Sequence, residues 1–140
     1  MSYTEKQFQS DFTKWLRAEH SAGRQIESAA YELKVKKHGQ RLNFKSDFQP
    51  QQLPKLQEAS SKECVSKKLS DADPTLKPFD MFSLCRSGAY VVVLWYQPRA
   101  PKEFIMIPID ILIAWRRLYS PEKKSIIEEE AIKLGQTYQL

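Results

Sequence analysis

Cysteine and histidine are scarce in this chain of 140 residues, which contains two of each. Cys64 and Cys85 are isolated, without the paired spacing of a zinc or redox motif, and His20 and His38 are too few to complete a zinc site with them. We therefore expect neither structural zinc nor a disulfide framework, and we interpret both thiols as buried or unreactive.

Long apolar segments are also missing. The longest, Ala89 to Tyr96, is far shorter than the roughly 20 residues that a membrane-spanning helix needs. The first 25 residues lack the apolar stretch of a signal peptide. These absences predict a soluble protein of the cytoplasm rather than a membrane or secreted protein.

The composition is that of an ordinary globular domain. Apolar residues make up 41% of the chain and charged residues 28%, which is enough for a hydrophobic core without disulfides. Domains commonly have about 100 to 150 residues. We therefore expect residues 1–140 to form a single domain.

Basic residues exceed acidic ones, 22 to 17, and give a net charge of +5. Six basic and two acidic residues lie between Arg24 and Lys45, whereas Glu128 to Glu130 form an acidic run. This distribution predicts a nucleic-acid-binding surface in the N-terminal half, although a solvated basic face without function would produce it too. The candidate phosphate contacts are Lys36, Lys37, Arg41 and Lys45.

Two periodic segments open the chain. Between Phe8 and Leu16 the apolar residues recur at helical spacing, and Thr4 and Gln7 before them have the form of a capping box. A helix is therefore expected over about 4–19. Ala29 to Lys36 alternate apolar with polar side chains, which is the period of a strand with one buried face.

The next segments are less regular. Leu42 and Phe44 follow a His-Gly-Gln turn and are expected to pair back on the first strand. Pro50 and Pro54 bracket the start of a short helix. The polar stretch over about 60–77 predicts a long excursion across the surface.

Three strands are expected in the second half, over Phe79 to Leu84, Ala89 to Gln97 and Glu103 to Pro108, joined as an antiparallel meander. The continuous apolar run of the second marks a central strand covered on both faces. A helix capped by Asp110 and a final helix opening near residue 120 follow. The pattern indicates an α/β fold with a mixed, largely antiparallel central sheet flanked by helices.

Glu32 and Lys34 are the residues of the first strand that can carry chemistry. They are two positions apart, so both side chains leave the same polar face and can act on one ligand. The acid-x-Lys pattern occurs again at Glu122 to Lys124, where an expected helix start would separate the side chains. Strand placement, rather than the triplet, distinguishes the first pair, and a surface ion pair is the alternative interpretation.

Several segments accompany this strand in a particular order. They are Ser28 to Lys34 (SAAYELK), Leu42 to Leu53 with Gln52 near its end, Lys77 to Asp80 (KPFD), Tyr90 to Val93 (YVVV) and Ile107 to Asp110 (IPID). In this order they resemble the PD-(D/E)xK nuclease superfamily, especially phage and bacterial proteins similar to Holliday-junction resolvases of the recombination-protein-U type. The resemblance extends from Ala29 to Trp115, about two thirds of the chain.

The resemblance implies a restriction-endonuclease-like fold and a role for each matched residue. Glu32 would bind a divalent metal, Lys34 would serve the attacking water, and Gln52 would hold a water or a phosphate oxygen. The resolvases place an aspartate on the strand before the catalytic one, and this chain has none there. Asp80 is the first candidate for the missing carboxylate and Glu27 the second; a site that has lost its metal is the remaining alternative.

These residues together predict a Mg²⁺- or Mn²⁺-dependent deoxyribonuclease. Hydrolysis of a phosphodiester calls for a hard cation held by carboxylate oxygens and for a cation such as lysine beside the phosphate. The resemblance suggests an endonuclease acting on branched DNA in recombination of phage or bacterial DNA, and a homodimer, since a four-way junction has two symmetric cuts. The alternative is a non-catalytic nucleic-acid-binding or assembly module that retains the fold.

Overall fold

The computed structural model describes residues 3–21, 29–60, 64–68, 81–85 and 88–140. In these residues the chain forms four helices and eight strands. In chain order they are α1 (Glu5–Ser21), β1 (Ala29–Lys37), β2 (Leu42–Asn43), α2 (Gln52–Ser60), β3 (Cys64–Lys68), β4 (Met81–Cys85), β5 (Gly88–Tyr96), β6 (Glu103–Pro108), α3 (Ile109–Arg117), β7 (Ser125–Ile126), α4 (Glu128–Leu134) and β8 (Gln136–Gln139).

A four-stranded sheet in the order β1-β5-β6-β8 organises the described residues. β1 pairs with β5 in parallel, and the pairs β5 with β6 and β6 with β8 are antiparallel. Two ribbons of two strands accompany it, β2 with β7 and β3 with β4. The predicted α/β class, with a mixed and largely antiparallel sheet flanked by helices, is confirmed.

β5 is the buried centre of the sheet, as its unbroken apolar sequence predicts. Val91, Val92, Val93 and Leu94 have no solvent exposure. Alternate side chains enter different clusters, because successive residues of a strand point to opposite faces. Val92 and Leu94 pack with the aromatic residues of α1, whereas Val91 and Val93 pack with residues of α2, α3 and α4.

α1 begins as its sequence predicts. The Thr4 amide donates to Gln7 Oε1 over 2.8 Å, and the Gln7 amide donates to Thr4 Oγ1 over 3.2 Å, which is a reciprocal capping box. Phe8 and Phe12 are buried against the sheet. α1 is thereby fixed beside β1.

Two predicted strand pairings are wrong. β2 pairs with β7, Leu42 opposite Ile126, rather than turning back on β1. β4 pairs with β3, so it is not the first strand of a meander with β5 and β6. β3 itself lies within the stretch expected to be a surface excursion.

The two predicted C-terminal helices also begin differently. Asp110 lies in the first turn of α3 rather than at its N-cap, which is Pro108, and its carboxylate accepts a hydrogen bond from Ser60 Oγ at 3.1 Å. The last helix begins at Glu128 because Ser125 and Ile126 are extended in β7. β8 follows it and was not expected from the sequence.

In the described part of the chain, no helix combines the length and the apolar character needed to cross a bilayer.

Candidate active site

β1 is an edge strand of the described sheet, and its apolar and polar side chains alternate, so its two faces have different surroundings. Tyr31, Leu33 and Val35 pack into the aromatic cluster under α1. Glu32 and Lys34 lie on the other face, opposite Val91 and Val93 of the buried strand β5. The predicted polar pair therefore projects from a strand whose position is fixed by the core.

Lys34 is buried, with 7% of its surface exposed. Its Nζ lies 3.5 Å from Glu32 Oε1 and 4.0 Å from Glu5 Oε1, and it donates to Gln52 Oε1 over 3.3 Å. The ammonium also lies 5.0 Å from the centre of the Phe48 ring. A lysine is rarely buried unless its charge is paired, and these neighbours supply the pairing.

Gln52, the first residue of α2, connects the acid to the lysine. Its Nε2 donates to Glu32 Oε1 over 3.0 Å, while its Oε1 accepts from Lys34 Nζ and from the Gln49 amide, the latter over 2.9 Å. The two partners at the oxygen are donors and the partner at the nitrogen is an acceptor, so one orientation of the amide satisfies all three. The sequence-predicted residues Glu32, Lys34 and Gln52 therefore meet in one cluster.

The cluster changes the acidity of Glu32. Burial raises the pKa of this carboxyl above its ordinary value, and the charge of Glu5 acts in the same direction. The nearby Lys34 ammonium opposes this rise by favouring the ionised form. Any further cation that approached Glu32 would likewise favour its ionised form.

Glu5 is the site residue that sequence reasoning missed. It lies in the first turn of α1, and its Oε1 is 4.0 Å from the Lys34 ammonium. The capping box of Thr4 and Gln7 gives its helical position, but no spacing in the sequence relates α1 to β1. A recess of about 280 Å³ beside Glu5 and Glu32 is also lined by Lys6, Gln9, Tyr31 and Leu33.

The two other predicted metal ligands, Asp80 and Glu27, lie outside the described residues. In the part of the chain that the structure covers, no group of three or more His, Cys, Asp or Glu side chains could hold a metal ion. Two carboxylates, Glu5 and Glu32, do lie within 4.0 Å of one ammonium. Mg²⁺ takes hard oxygen ligands and is commonly bound by one or two carboxylates with waters and substrate phosphates completing the shell, so Glu5 and Glu32 offer the ligand type that it requires.

The four predicted phosphate contacts have different surroundings. Lys36 Nζ is 3.1 Å from Asp47 Oδ1, and Asp47 Oδ2 also accepts the Asn43 amide, so this lysine braces the loop that leads to α2. Arg41 is exposed and one of its guanidinium nitrogens donates to Ser125 Oγ over 3.3 Å. Lys37 and Lys45 are exposed. Lys37, Arg41 and Lys45 are therefore more accessible to a ligand than Lys36.

Comparisons with known proteins leave the chain without an assigned family. No protein-family model, no curated protein and no solved structure matches it at a significant level.

Proposed function

We propose that this protein is a metal-dependent DNA endonuclease that hydrolyses phosphodiester bonds. The observation that carries the proposal is the convergence of Glu32, Lys34 and Gln52, which come from two elements and are joined by hydrogen bonds of 3.0 and 3.3 Å. Each side chain has a use in phosphodiester hydrolysis. The cluster also differs from an ordinary surface ion pair, because Lys34 is buried.

The acidic side chains supply a place for a cation. Glu32 and Glu5 would hold Mg²⁺ or Mn²⁺, with Asp80 and Glu27 as the further candidates from the sequence. Such a cation polarises a phosphate oxygen and makes a water molecule more acidic. Gln52 keeps the Glu32 carboxylate oriented by its hydrogen bond.

Lys34 supplies a positive charge from a rigid position. Its ammonium is held by Glu32 and Gln52 rather than by solvent, so little reorganisation is needed when negative charge builds on the phosphate. We infer that Lys34 stabilises that charge and orients the attacking water. Its contribution belongs to the transition state more than to binding.

DNA is the proposed substrate because exposed basic residues lie on the same half of the chain as this cluster. Lys37 is the last residue of β1 and Lys45 precedes α2, and both are exposed. From the resemblance we further propose branched DNA, a homodimer that cuts it symmetrically, and a role in recombination in the cytoplasm of a bacterial or phage-infected cell.

The test is to incubate the wild-type protein and Glu32→Gln with four-way junctions, single strands and linear duplexes in Mg²⁺ or Mn²⁺. We expect cleavage by the wild type that chelator abolishes and that Glu32→Gln lacks, with DNA binding preserved in both. A homogeneous wild-type protein that binds DNA but cuts none of these substrates would instead favour the non-catalytic binding or assembly module.

A further inference from the structure

A cavity of about 630 Å³ lies at the end of β1 away from Ala29. This volume is within the range of about 300 to 1,000 Å³ that is typical of ligand pockets. The described residues lining it are Tyr3, Val35, Lys36, Lys37, His38, Gln40, Tyr96 and Pro98. Val35 and Lys37 lie on the face of β1 that packs under α1, whereas Lys36 lies on the face of Glu32 and Lys34, so the cavity extends around the end of this edge strand.

One wall of this cavity is aromatic and held in place. The rings of Tyr3 and Tyr96 are stacked, with centroids 5.5 Å apart and an interplanar angle of 25°. The Tyr3 hydroxyl donates to the Asp11 carboxylate of α1, and Lys102 Nζ lies 4.5 Å from the centre of the Tyr3 ring. Flat rings fixed from several sides suit the stacking of a planar group.

The rim of the cavity is basic. Lys36, Lys37 and His38 come from the end of β1 and its turn; Lys36 Nζ is paired with Asp47 Oδ1 at 3.1 Å, and among the described residues Lys37 has no ion-pair partner. His38 Nδ1 is 3.6 Å from a carboxylate oxygen of Glu128, so its contribution is reduced by a neighbouring acid. An aromatic wall under a cationic rim matches a base attached to a phosphate.

Arg99 adds a second, independent observation beside Pro98. The turn Gln97 to Ala100 is closed by a hydrogen bond of 3.3 Å between its end residues, and Arg99 in its third position has a φ of 66°. This left-handed conformation favours glycine, and a residue with a side chain is there at a cost. Arg99 thus presents a positive charge from an exposed turn next to Pro98, which lines the cavity.

We propose that this cavity and the Arg99 turn hold an unpaired stretch of the DNA strand that flanks the cleavage position. The proposal rests on the nuclease function proposed above and specifies its substrate. Lys36 is four residues beyond Glu32 on β1. That separation is about 13 Å at the rise of a strand.

An unpaired strand fits better than duplex DNA for a geometric reason. A base paired within a duplex is stacked on its neighbours and cannot lie against the Tyr3 and Tyr96 rings inside a cavity. An unpaired base can leave the stack, and aromatic platforms with a basic rim are the usual means of binding such strands. Branched DNA that carries unpaired nucleotides at its junction would satisfy both the active site and this cavity.

The experiment measures binding without cleavage. Fluorescence anisotropy of an oligothymidine of about ten nucleotides, in chelator, is compared for the wild type and single variants. We expect Tyr96→Leu to weaken binding by about 5-fold or more and Tyr96→Phe, which keeps the ring, to bind like the wild type. Arg99→Gly should also weaken binding several-fold while leaving the thermal midpoint unchanged or higher, because glycine relieves the backbone strain. Lys133→Gln removes an exposed charge on α4 and serves as the control.

Two results would overturn the inference. One is unchanged affinity in both Arg99→Gly and Tyr96→Leu; the other is binding of free thymidine monophosphate as tight as that of the oligonucleotide. Cleavage by the wild type together with unchanged affinity in the variants refutes this inference alone. Affinity that depends on Tyr96 and Arg99 in a protein that cuts no DNA refutes the nuclease function and leaves the strand-binding site.

Discussion

The side-chain amide of Gln52 donates to the carboxylate of Glu32 across 3.0 Å, although the two residues are 20 positions apart in sequence. The bond joins the start of α2 to β1, and the same amide accepts from Lys34. Because one glutamine orients both members of the pair, the cluster behaves as a unit. Changes to any of the three should therefore affect the other two.

Lys34→Met is expected to reduce turnover while largely preserving DNA binding. Methionine retains much of the packing of the lysine stem but lacks its charge. Loss of one preorganised group of this kind typically costs about 100- to 1,000-fold in rate. Single-turnover cleavage and binding affinity should be measured side by side.

Lys124→Met is the matched control, since Lys124 belongs to the chain's other acid-x-Lys triplet and is exposed. It should cut DNA at the wild-type rate. Equal rates for Lys34→Met and the wild type would remove Lys34 from the mechanism.

Gln52→Ala is expected to destabilise the fold and slow cleavage together. It removes the partner of a half-buried carboxylate and of a buried ammonium, and an unsatisfied buried polar group costs about 1–3 kcal/mol. Urea unfolding measures the free energy of unfolding, and a cleavage assay measures the rate. Gln51→Ala, at the exposed neighbouring glutamine, should change neither the stability nor the cleavage rate. A Gln52→Ala protein as stable as the wild type would show that the hydrogen bonds of Gln52 contribute nothing to stability.

The central elements could be predicted because their signals are local. The capping box and the spacing of Phe8 and Phe12 mark α1, and the alternation around Glu32 marks β1. The apolar run of β5 marks the buried centre. Glu32, Lys34 and Gln52 were named together only because of the resemblance, since periodicity alone gives no expectation about segments this far apart in sequence.

The wrong predictions concern which strands pair with each other, and not the helices and strands that have a clear hydrophobic periodicity. β2 and β7 have two residues each and lie more than 80 positions apart, so no local pattern could join Leu42 to Ile126. β8 is mostly polar and lacks a clear alternation. Glu5 was missed for the same reason, since its proximity to Lys34 depends on how α1 packs against the sheet.

Mn²⁺ is expected to bind with its affinity reduced in Glu32→Ala and, to a smaller extent, in Glu5→Gln. Glu32 is the less exposed of the two carboxylates, with 25% of its side chain exposed against 56% for Glu5, so its interaction with a cation is screened less. Calorimetry on these variants, and on Asp80→Ala and Glu27→Ala, would identify the ligands. Wild-type affinity in all four variants would refute a carboxylate site.

DNA affinity is expected to fall steeply with salt, and Lys45→Gln should flatten this dependence. Each phosphate contact contributes about 0.9 to the slope of log affinity against log salt for duplex DNA, through release of counterions. Lys36→Gln should change the slope less, because Lys36 is already paired with Asp47. A larger effect at Lys36 than at Lys45 would mean that DNA displaces Asp47.

The stability of the protein should depend on pH through Glu32. Burial raises the pKa of this carboxyl in the folded state above its ordinary value, so the folded protein binds the proton more tightly than the unfolded chain does. The resulting stabilisation is fully present below the unfolded-state pKa and is lost as pH rises through the raised folded-state pKa. Glu32→Gln cannot titrate and should not show this loss.

Urea unfolding of the wild type and Glu32→Gln, in chelator and at pH values that span the unfolded-state and folded-state pKa of Glu32, measures the difference in their stability directly. We expect the wild type to lose stability relative to Glu32→Gln as pH rises, and the difference to level off once Glu32 is ionised. Glu129→Gln, at an exposed position of α4, should instead follow the wild-type curve. Added Mn²⁺ should restore the wild type at high pH without affecting Glu32→Gln, since a cation favours the ionised carboxylate and stabilises the state that binds it. Parallel curves for wild type and Glu32→Gln, with and without Mn²⁺, would show that Glu32 neither carries a shifted pKa nor holds the cation.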